Sequence, residues 1–330
     1  MSGKLSPVRG TLGFEQLVPA ALAHRRGLAE VYVADTAMVG SSEYLAAVQV
    51  PRAHSLWFDR LVPYHDPFSA VEAVRQALLV VGQRHLGVPA DAPASLQRMA
   101  FAVEDLSLFR DSEREPLEGV VRLRPGAAGT GRGYYHDVSF DATLTIHGAL
   151  AMTVRGSGIT FPRDAYDEFR ELQQGKRSAL VAVGPDAVRR LPPELVGRRD
   201  PRNVVLARTA AQELVVVVDR GHPSFFDHQY DHVPGPLLLE VFRQAAVLAA
   251  TATGLLASPV AAVLDLEAQF TDFAELDAPI TCTTAAVGDL DLDEITVEVA
   301  LHQYGNRIAL AHVELAHYPV SGQRQENLGS

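Results

Sequence analysis

Short apolar runs broken at polar intervals give the chain the rhythm of a β-rich protein with two long helices. Strand-like runs come in pairs: AEVYVAD and EYLAAVQV early in the chain, NVVLAR and ELVVVVD later. Each pair precedes a long apolar segment of helical length. The first segment opens at Asp66-Pro67, an N-cap residue followed by proline at the first helical position, and runs to about Gly87. The second opens near Pro234–Pro236 and ends near Gly254, a residue suited to the left-handed turn after a helix. The spacing predicts helices near 67–86 and 236–253. Further strands follow each helix: AFAVEDLSLF, EGVVRLRP and HDVSFDATLTIHG, then LDLEAQF, ITCTTAAV, ITVEVALHQ and IALAHVELAHY.

The two halves are copies. HSLWFDR (54–60) aligns with HPSFFDH (222–228), and EAVRQA (72–77) with EVFRQA (240–245), both at an offset of 168 residues with no gap. A repeat of half the chain means two copies of one domain rather than a solenoid. The expected division is a first unit at 12–161, a charged, proline-bearing connector with a short helix at 162–202, and a second unit at 203–320.

Composition narrows the function classes. The chain has 330 residues and is 47% apolar, enough for a sizeable core, and its net charge of −11 argues against general nucleic-acid binding. Lysine occurs only at Lys4 and Lys176, so a Schiff-base lysine is not expected. The single cysteine, Cys282, reads as a buried inert thiol, and the absence of any disulfide pair fits the cytoplasm. Residues 245–264 carry no charge over a membrane-length run, but Gly254 and Pro259 interrupt it; it reads as a helix end, a turn and a strand start. GTGRG at 129–133 precedes no helix and reads as a hairpin turn, not a phosphate loop. Gly-Ser-Gly at 156–158 lacks the flanks of a nucleophile elbow.

Candidate chemistry lies on the helices and the loops before them. Glu240, Arg243 and Gln244 share one helical face at i, i+3 and i+4, as do Glu72, Arg75 and Gln76. Both helices are otherwise apolar nearly all round, and a carboxylate there is costly unless paired or functional. An intrahelical Glu–Arg pair on an exposed stripe is the plain alternative; the recurrence of the triplet favours a site. The second loop adds Asp227, His228, Asp231 and His232. His228 and His232 are four apart, as a metal pair would be, but their counterparts are Arg60 and Tyr64, and solvated loop histidines remain an alternative.

Strand pair, His-bearing loop, then Pro-Gly opening a helix with an acid five residues on (Gly235 to Glu240) resembles the hotdog fold of acyl-thioester dehydratases and thioesterases. FFDHQYDHVPGPLLLEVFRQAA, the degenerate WFDRLVPYHDPFSAVEAVRQA, LVPAALAHRRGLAEVYVAD and RDPRNVVLAR are more specifically similar to the A-factor synthase family, over about residues 12–318. The resemblance implies an α+β chain of two tandem hotdog domains, each a long helix wrapped by an antiparallel sheet, packed as an intrachain pseudo-dimer. It implies a cytoplasmic acyltransferase that moves a β-ketoacyl group from acyl carrier protein to dihydroxyacetone phosphate. The ester leads to a butenolide, γ-butyrolactone or furan signalling molecule that regulates secondary metabolism. No cofactor or metal is implied, and a homo-oligomer is possible.

In hotdog pairs the loop histidine and helix glycine of one unit face the helix acid of the other. One site then joins His228 and Gly235 to Glu72, Arg75 and Gln76. The other joins Arg60 and Pro67 to Glu240, Arg243 and Gln244. Pro67 has no N–H to donate, so acyl transfer is expected at His228, Gly235 and Glu72, with Glu240 kept as a candidate. The glutamate is expected to act as general base through a raised pKa. Arg243, with Arg60 beside it, is the first choice for the phosphate, ahead of Arg75. Gln76, Gln244, His232 and Asp227 are further substrate-binding candidates. The rivals are a dehydratase or thioesterase of the same fold, and a non-catalytic acyl- or lactone-binding protein.

Overall fold

The computed structural model describes residues 12–126, 136–177, 188–289 and 294–318. Thirteen strands form one antiparallel sheet. The first unit supplies β1 (Val33–Gly40), β2 (Glu43–Val50), β3 (Ala94–Val103), β4 (Leu117–Pro125), β5 (His136–Ile146) and β6 (Ala149–Thr160). The second supplies β7 (Val188–Arg190), β8 (Leu206–Thr209), β9 (Leu214–Val216), β10 (Ala261–Phe270), β11 (Thr281–Asp289), β12 (Glu294–Gln303) and β13 (Asn306–His317). The order is β1-β2-β4-β5-β6-β3-β10-β13-β12-β11-β9-β8-β7. Read outward from the centre, β3, β6, β5, β4, β2 and β1 mirror β10, β13, β12, β11, β9 and β8. The halves join through β3 and β10, with Phe101 opposite Leu266 and Met99 opposite Ala268. β7, from the stretch read as connector, pairs with β8 at the sheet edge.

Helix α1 (Pro67–His85) packs on β1 and β2, and α3 (Gly235–Ala252) on β11, β12 and β13. Asp66 caps α1 by accepting the Phe68 N–H at 3.0 Å, and Pro67 loses no hydrogen bond at the first position. α3 gives way to Gly254 at φ +79°, where a left-handed turn ends the helix and leads to β10. Val71, Val74, Val80 and Val81 of α1, like Val241, Phe242 and Val247 of α3, are fully enclosed. Each such side chain stabilises the fold by roughly 1.5–3 kcal/mol. One core runs through both units. This is the tandem hotdog pair.

The connector contains α2 (Arg163–Arg177). Its buried Arg170 donates to Glu275 at 2.8 Å and to Asp231 at 3.0 Å, and Tyr166 donates to Asp231 at 2.8 Å. The helix is therefore pinned to the second unit's loops. Residues 245–264 divide into the end of α3, a turn and the start of β10, and no helix among the described residues is long and apolar enough to cross a membrane. Gly156 and Gly158 lie inside β6, where a Cβ would meet Phe140 at 2.4 Å and the Ser95 carbonyl at 2.2 Å, so strand packing explains them. Gly129, Gly131 and Gly133 lie outside the described residues. Cys282 is enclosed in β11, and burial pushes its thiol up to about 12.

Candidate functional site

Each glutamine ties its helix to the segment that leads into a strand of its own unit, β1 in the first and β8 in the second. Gln76 Oε1 accepts the Tyr32 N–H at 2.9 Å while Nε2 donates to the Glu30 carbonyl and to Glu72, each at 2.8 Å. Gln244 repeats this with the Val205 N–H at 3.0 Å, the Asn203 carbonyl at 2.7 Å and Glu240 at 2.5 Å. Both glutamines are fully enclosed, so they fix the helix and aim the glutamate rather than meet a ligand. Two histidines do similar work. His54 and His222 each accept two backbone N–H groups at Nδ1 and point Nε2 inward, towards Tyr32 at 2.8 Å and Asn203 at 3.0 Å.

Each glutamate is held by two arginines. Glu72 accepts from Arg75 at 2.7 and 2.8 Å and from Arg25 at 2.5 Å. Glu240 accepts from Arg243 at 3.0 and 2.5 Å and from Arg198 at 3.0 and 2.8 Å. Burial alone would raise both carboxyls; the paired guanidinium groups outweigh it. Glu72 is held well below the usual carboxylate range and Glu240 at about 2. This corrects the expectation of a raised pKa. Glu72 accepts four donor contacts and Glu240 five; a carboxylate so occupied is a poor general base, and each glutamate holds its arginines in place.

The clusters reach across the domain interface. Arg25 Nη1 donates to Asp227 of the second unit at 3.2 Å, and Asp227 also accepts the Arg26 N–H at 2.8 Å. His228 Nδ1 lies 2.6 Å from the same carboxylate. An ionised carboxylate only accepts, so Nδ1 donates to it and Nε2 is the ring nitrogen that points away from this bond. Tyr230 packs on the imidazole with centroids 4.1 Å apart. The structure thus joins Glu72, Arg75 and Gln76 to Asp227 and His228 through Arg25. In the other direction Arg198 donates to the Leu56 and Asp59 carbonyls at 3.0 and 2.8 Å, and Asp59 accepts the Arg199 N–H at 2.8 Å.

Solvent reaches the two clusters unequally. The side chains of Arg75 and His228 are each 26% exposed, whereas Arg243 is 8% and Arg198 1% exposed. Arg25 Nε is buried with no partner, while the matching Arg198 Nε binds Glu240. Arg60 bonds Asp111 and lines, with Arg243, Arg198, Tyr64 and Tyr318, a cleft of about 30 Å³. Arg243 commits Nε and Nη2 to Glu240 as Arg75 does to Glu72, and it is the less exposed of the two. Gly235 and His232 border a larger cavity of about 190 Å³, whose lining includes neither Glu72 nor His228. The Gly235 N–H begins α3 with no acceptor among the described residues. His232 Nδ1 lies 2.6 Å from Asp231, and with His228 on Asp227 the two histidines are occupied by separate carboxylates.

Four residues of these clusters escaped the sequence reading: His24, Arg25, Arg198 and Tyr230. The first three carried a signal. HRRGLAEVY (24–32) aligns with GRRDPRNVV (197–205) at an offset of 173 residues, five more than the main repeat, so the arginines fell out of register. His24 adopts φ +51° and Gly197 φ +72°, so both copies need the left-handed conformation there. At Gly197 a Cβ would lie 2.7 Å from the Pro259 carbonyl, which closes that copy. Burial, with Arg75, His228 and Arg25 nearby, lowers the His24 pKa and keeps the ring neutral.

The A-factor biosynthesis hotdog domain family matches this chain twice, at residues 9–162 and 183–318. The chain belongs to that family. A 2-oxo-3-(phosphooxy)propyl 3-oxoalkanoate synthase of Streptomyces virginiae is 29% identical over 296 residues, covering 87% of this chain and 93% of the relative. Synthases of the same name from Streptomyces griseus and Streptomyces coelicolor are 25% and 26% identical and cover 87% and 89% of this chain, and 91% and 90% of their own lengths. This member of the A-factor family thus carries the Glu-x-x-Arg-Gln cluster in both copies, with Arg75 more exposed than Arg243, and each site has a buried guanidinium N–H without a partner among the described residues, Arg25 Nε in one and Arg60 Nη1 in the other.

Proposed function

We propose that this chain is an acyltransferase that moves a 3-oxoacyl group from acyl carrier protein to a hydroxyl of dihydroxyacetone phosphate, in the cytoplasm. The name of the relatives describes the ester of those two parts. The ester leads on to a butenolide or γ-butyrolactone signal. The observation that carries the assignment to one site is the contrast in exposure and in the loops: Arg75 and the Asp227-held His228 are each 26% exposed, whereas Arg243 is 8% exposed and Arg60 stands where the histidine would be.

His228 is the base. Asp227 holds its Nδ1–H, so Nε2 takes the proton of the attacking hydroxyl. The oxygen adds to the thioester carbonyl, and the developing oxyanion accepts the Gly235 N–H at the positive end of α3. The C–S bond then breaks, and the proton on His228 passes to the departing thiolate of the carrier. Glu72 holds Arg75 and Arg25 in place for the phosphate, and Gln76 holds Glu72. His24 stays neutral beside them and adds no charge to the site. The second cluster clamps α3 to the first unit.

The test is to incubate the protein with β-ketoacyl carrier proteins of several lengths and dihydroxyacetone phosphate, then identify products by mass spectrometry. A phosphorylated 3-oxoalkanoate ester supports the reading. Free acid alone means a thioesterase, an enoyl product a dehydratase, and unchanged donor a binding protein. Equal turnover of unphosphorylated dihydroxyacetone overturns the phosphate role of Arg75 and Arg25.

A further inference from the structure

The cavity of about 190 Å³ beside Gly235 has no role in the reaction as described above. Its apolar walls are Phe161, Phe169, Phe270, Phe273, Leu96 and Leu238, contributed by both units and the connector helix, with Gln173, His232 and Asp272 among the polar residues that share the lining. The corresponding place in the other copy, beneath the loop that carries Arg60 and Tyr64, is the cleft of about 30 Å³ lined by three arginines and two tyrosines. After β6 the chain turns into α2, which lays Phe169 and Gln173 over the cavity. Phe169 packs against Phe161 and Phe273 with centroids 6.1 and 6.3 Å apart. The buried Arg170, bonded to Glu275 and Asp231, fixes the roof one residue further on.

We propose that this cavity is the pocket for the apolar tail of the acyl donor, with α2 as its rigid roof and Ile159 and Phe169 as the residues that set the accepted chain length. An apolar cavity of about 150 Å³ takes a benzene ring, so this one holds roughly six carbons or slightly more of a linear or branched tail. The polar side chains that share the lining are engaged within the protein, Gln173 donating to Asp272 and His232 lying 2.6 Å from Asp231, so the aromatic and aliphatic surface is the larger part offered to a ligand. Gly235 borders the cavity, so a tail seated there brings an acyl carbonyl towards the unpaired backbone N–H that opens α3. The nature of the tail rests on the transferase reading; the affinity of the cavity for an alkyl chain does not.

Binding is measured by calorimetry with S-alkylpantetheine thioethers from C2 to C12, which cannot transfer their chain. Ile159→Phe fills the cavity from β6, and Phe169→Ala opens it from α2; circular dichroism and melting curves confirm that both fold. Ile159→Phe is expected to weaken the C8 thioether about tenfold or more and leave C2 within twofold, since one methylene in an apolar pocket is worth about 10–200-fold. Phe169→Ala is expected to move the tightest binding to a longer chain. Folded variants that bind every length as the wild type does overturn the pocket. Transfer assays with the same variants separate the two readings. Length-dependent thioether binding without any ester product keeps the pocket and removes the transferase; ester formation with thioether binding blind to both variants does the reverse.

Discussion

Arg25 and Arg198 stand at the same place in two copies of one fold. Arg198 spends its donors on Glu240 and on the Leu56 and Asp59 carbonyls, and is 1% exposed. Arg25 gives one nitrogen to Glu72 and one to Asp227 and keeps Nε–H without a partner. The copies differ as much in their loops. Asp227 orients a histidine, whereas Asp59 is followed by Arg60, which turns to Asp111. Pro67 removes in the first copy the N–H that Gly235 offers in the second. One copy has the more exposed arginine beside an oriented histidine; in the other the paired arginines tie α3 to the first unit. A buried ion pair costs desolvation whether or not it does chemistry, so pairing alone does not mark a site.

The comparison breaks first at the loops. His228→Ala is expected to lower kcat by roughly 10²–10⁴-fold, the usual range for an acid–base group, while Arg60→Ala leaves kcat within threefold. Steady-state rates of both variants decide it; equal losses would mean that the copies share the chemistry. Gly235→Pro writes the first copy's solution into the second. Proline is compatible with a helix start, so the fold should persist while the lost oxyanion donor lowers kcat by about 10²–10³-fold.

Stability separates the glutamates from the base. Glu240→Gln leaves two buried arginines short of a counter-charge and should cost about 3–5 kcal/mol in denaturant melts. The pH dependence has a definite sign. The folded pKa of Glu240, about 2, lies below its ordinary 4.5, so its stabilisation is present above pH 4.5 and is lost as pH falls towards 2. Glu240→Gln should flatten the melting-temperature profile in that window. A profile as steep as the wild type's would remove the clamp role.

Smaller effects sharpen the contrast. Arg75→Lys keeps the charge and loses the planar fork, and should raise KM for the phosphate substrate about tenfold with little change for the acyl donor. Arg243→Lys should lower the melting temperature and leave that KM alone. Gly197→Ala, forced to φ +72° against the Pro259 carbonyl, should cost about 1–3 kcal/mol. Gly235→Ala meets nothing within 4 Å and should fall within about 0.5 kcal/mol of wild type.

Much of the fold was legible along the chain because its signals are local. Asp66-Pro67 and Gly254 bracket the helices within a residue or two of where they lie, and alternation marked the strands. The 168-residue offset held across loop and helix, so the tandem arrangement and the shared Glu-x-x-Arg-Gln face followed from residues alone. The charge state of the glutamates did not. Arg25 lies 47 residues before Glu72 and Arg198 42 before Glu240, in a segment whose repeat runs out of step with the helices. Sequence determined that two carboxylates enter an apolar core at equivalent places, because helical period and repeat spacing are properties of neighbours along the chain. Which arginines meet them, which copy keeps a free N–H, and where α2 roofs a cavity were decided only when β3 paired with β10 and set the two units face to face. Electrostatic and packing energies depend on distance in space, and a linear sequence does not contain those distances.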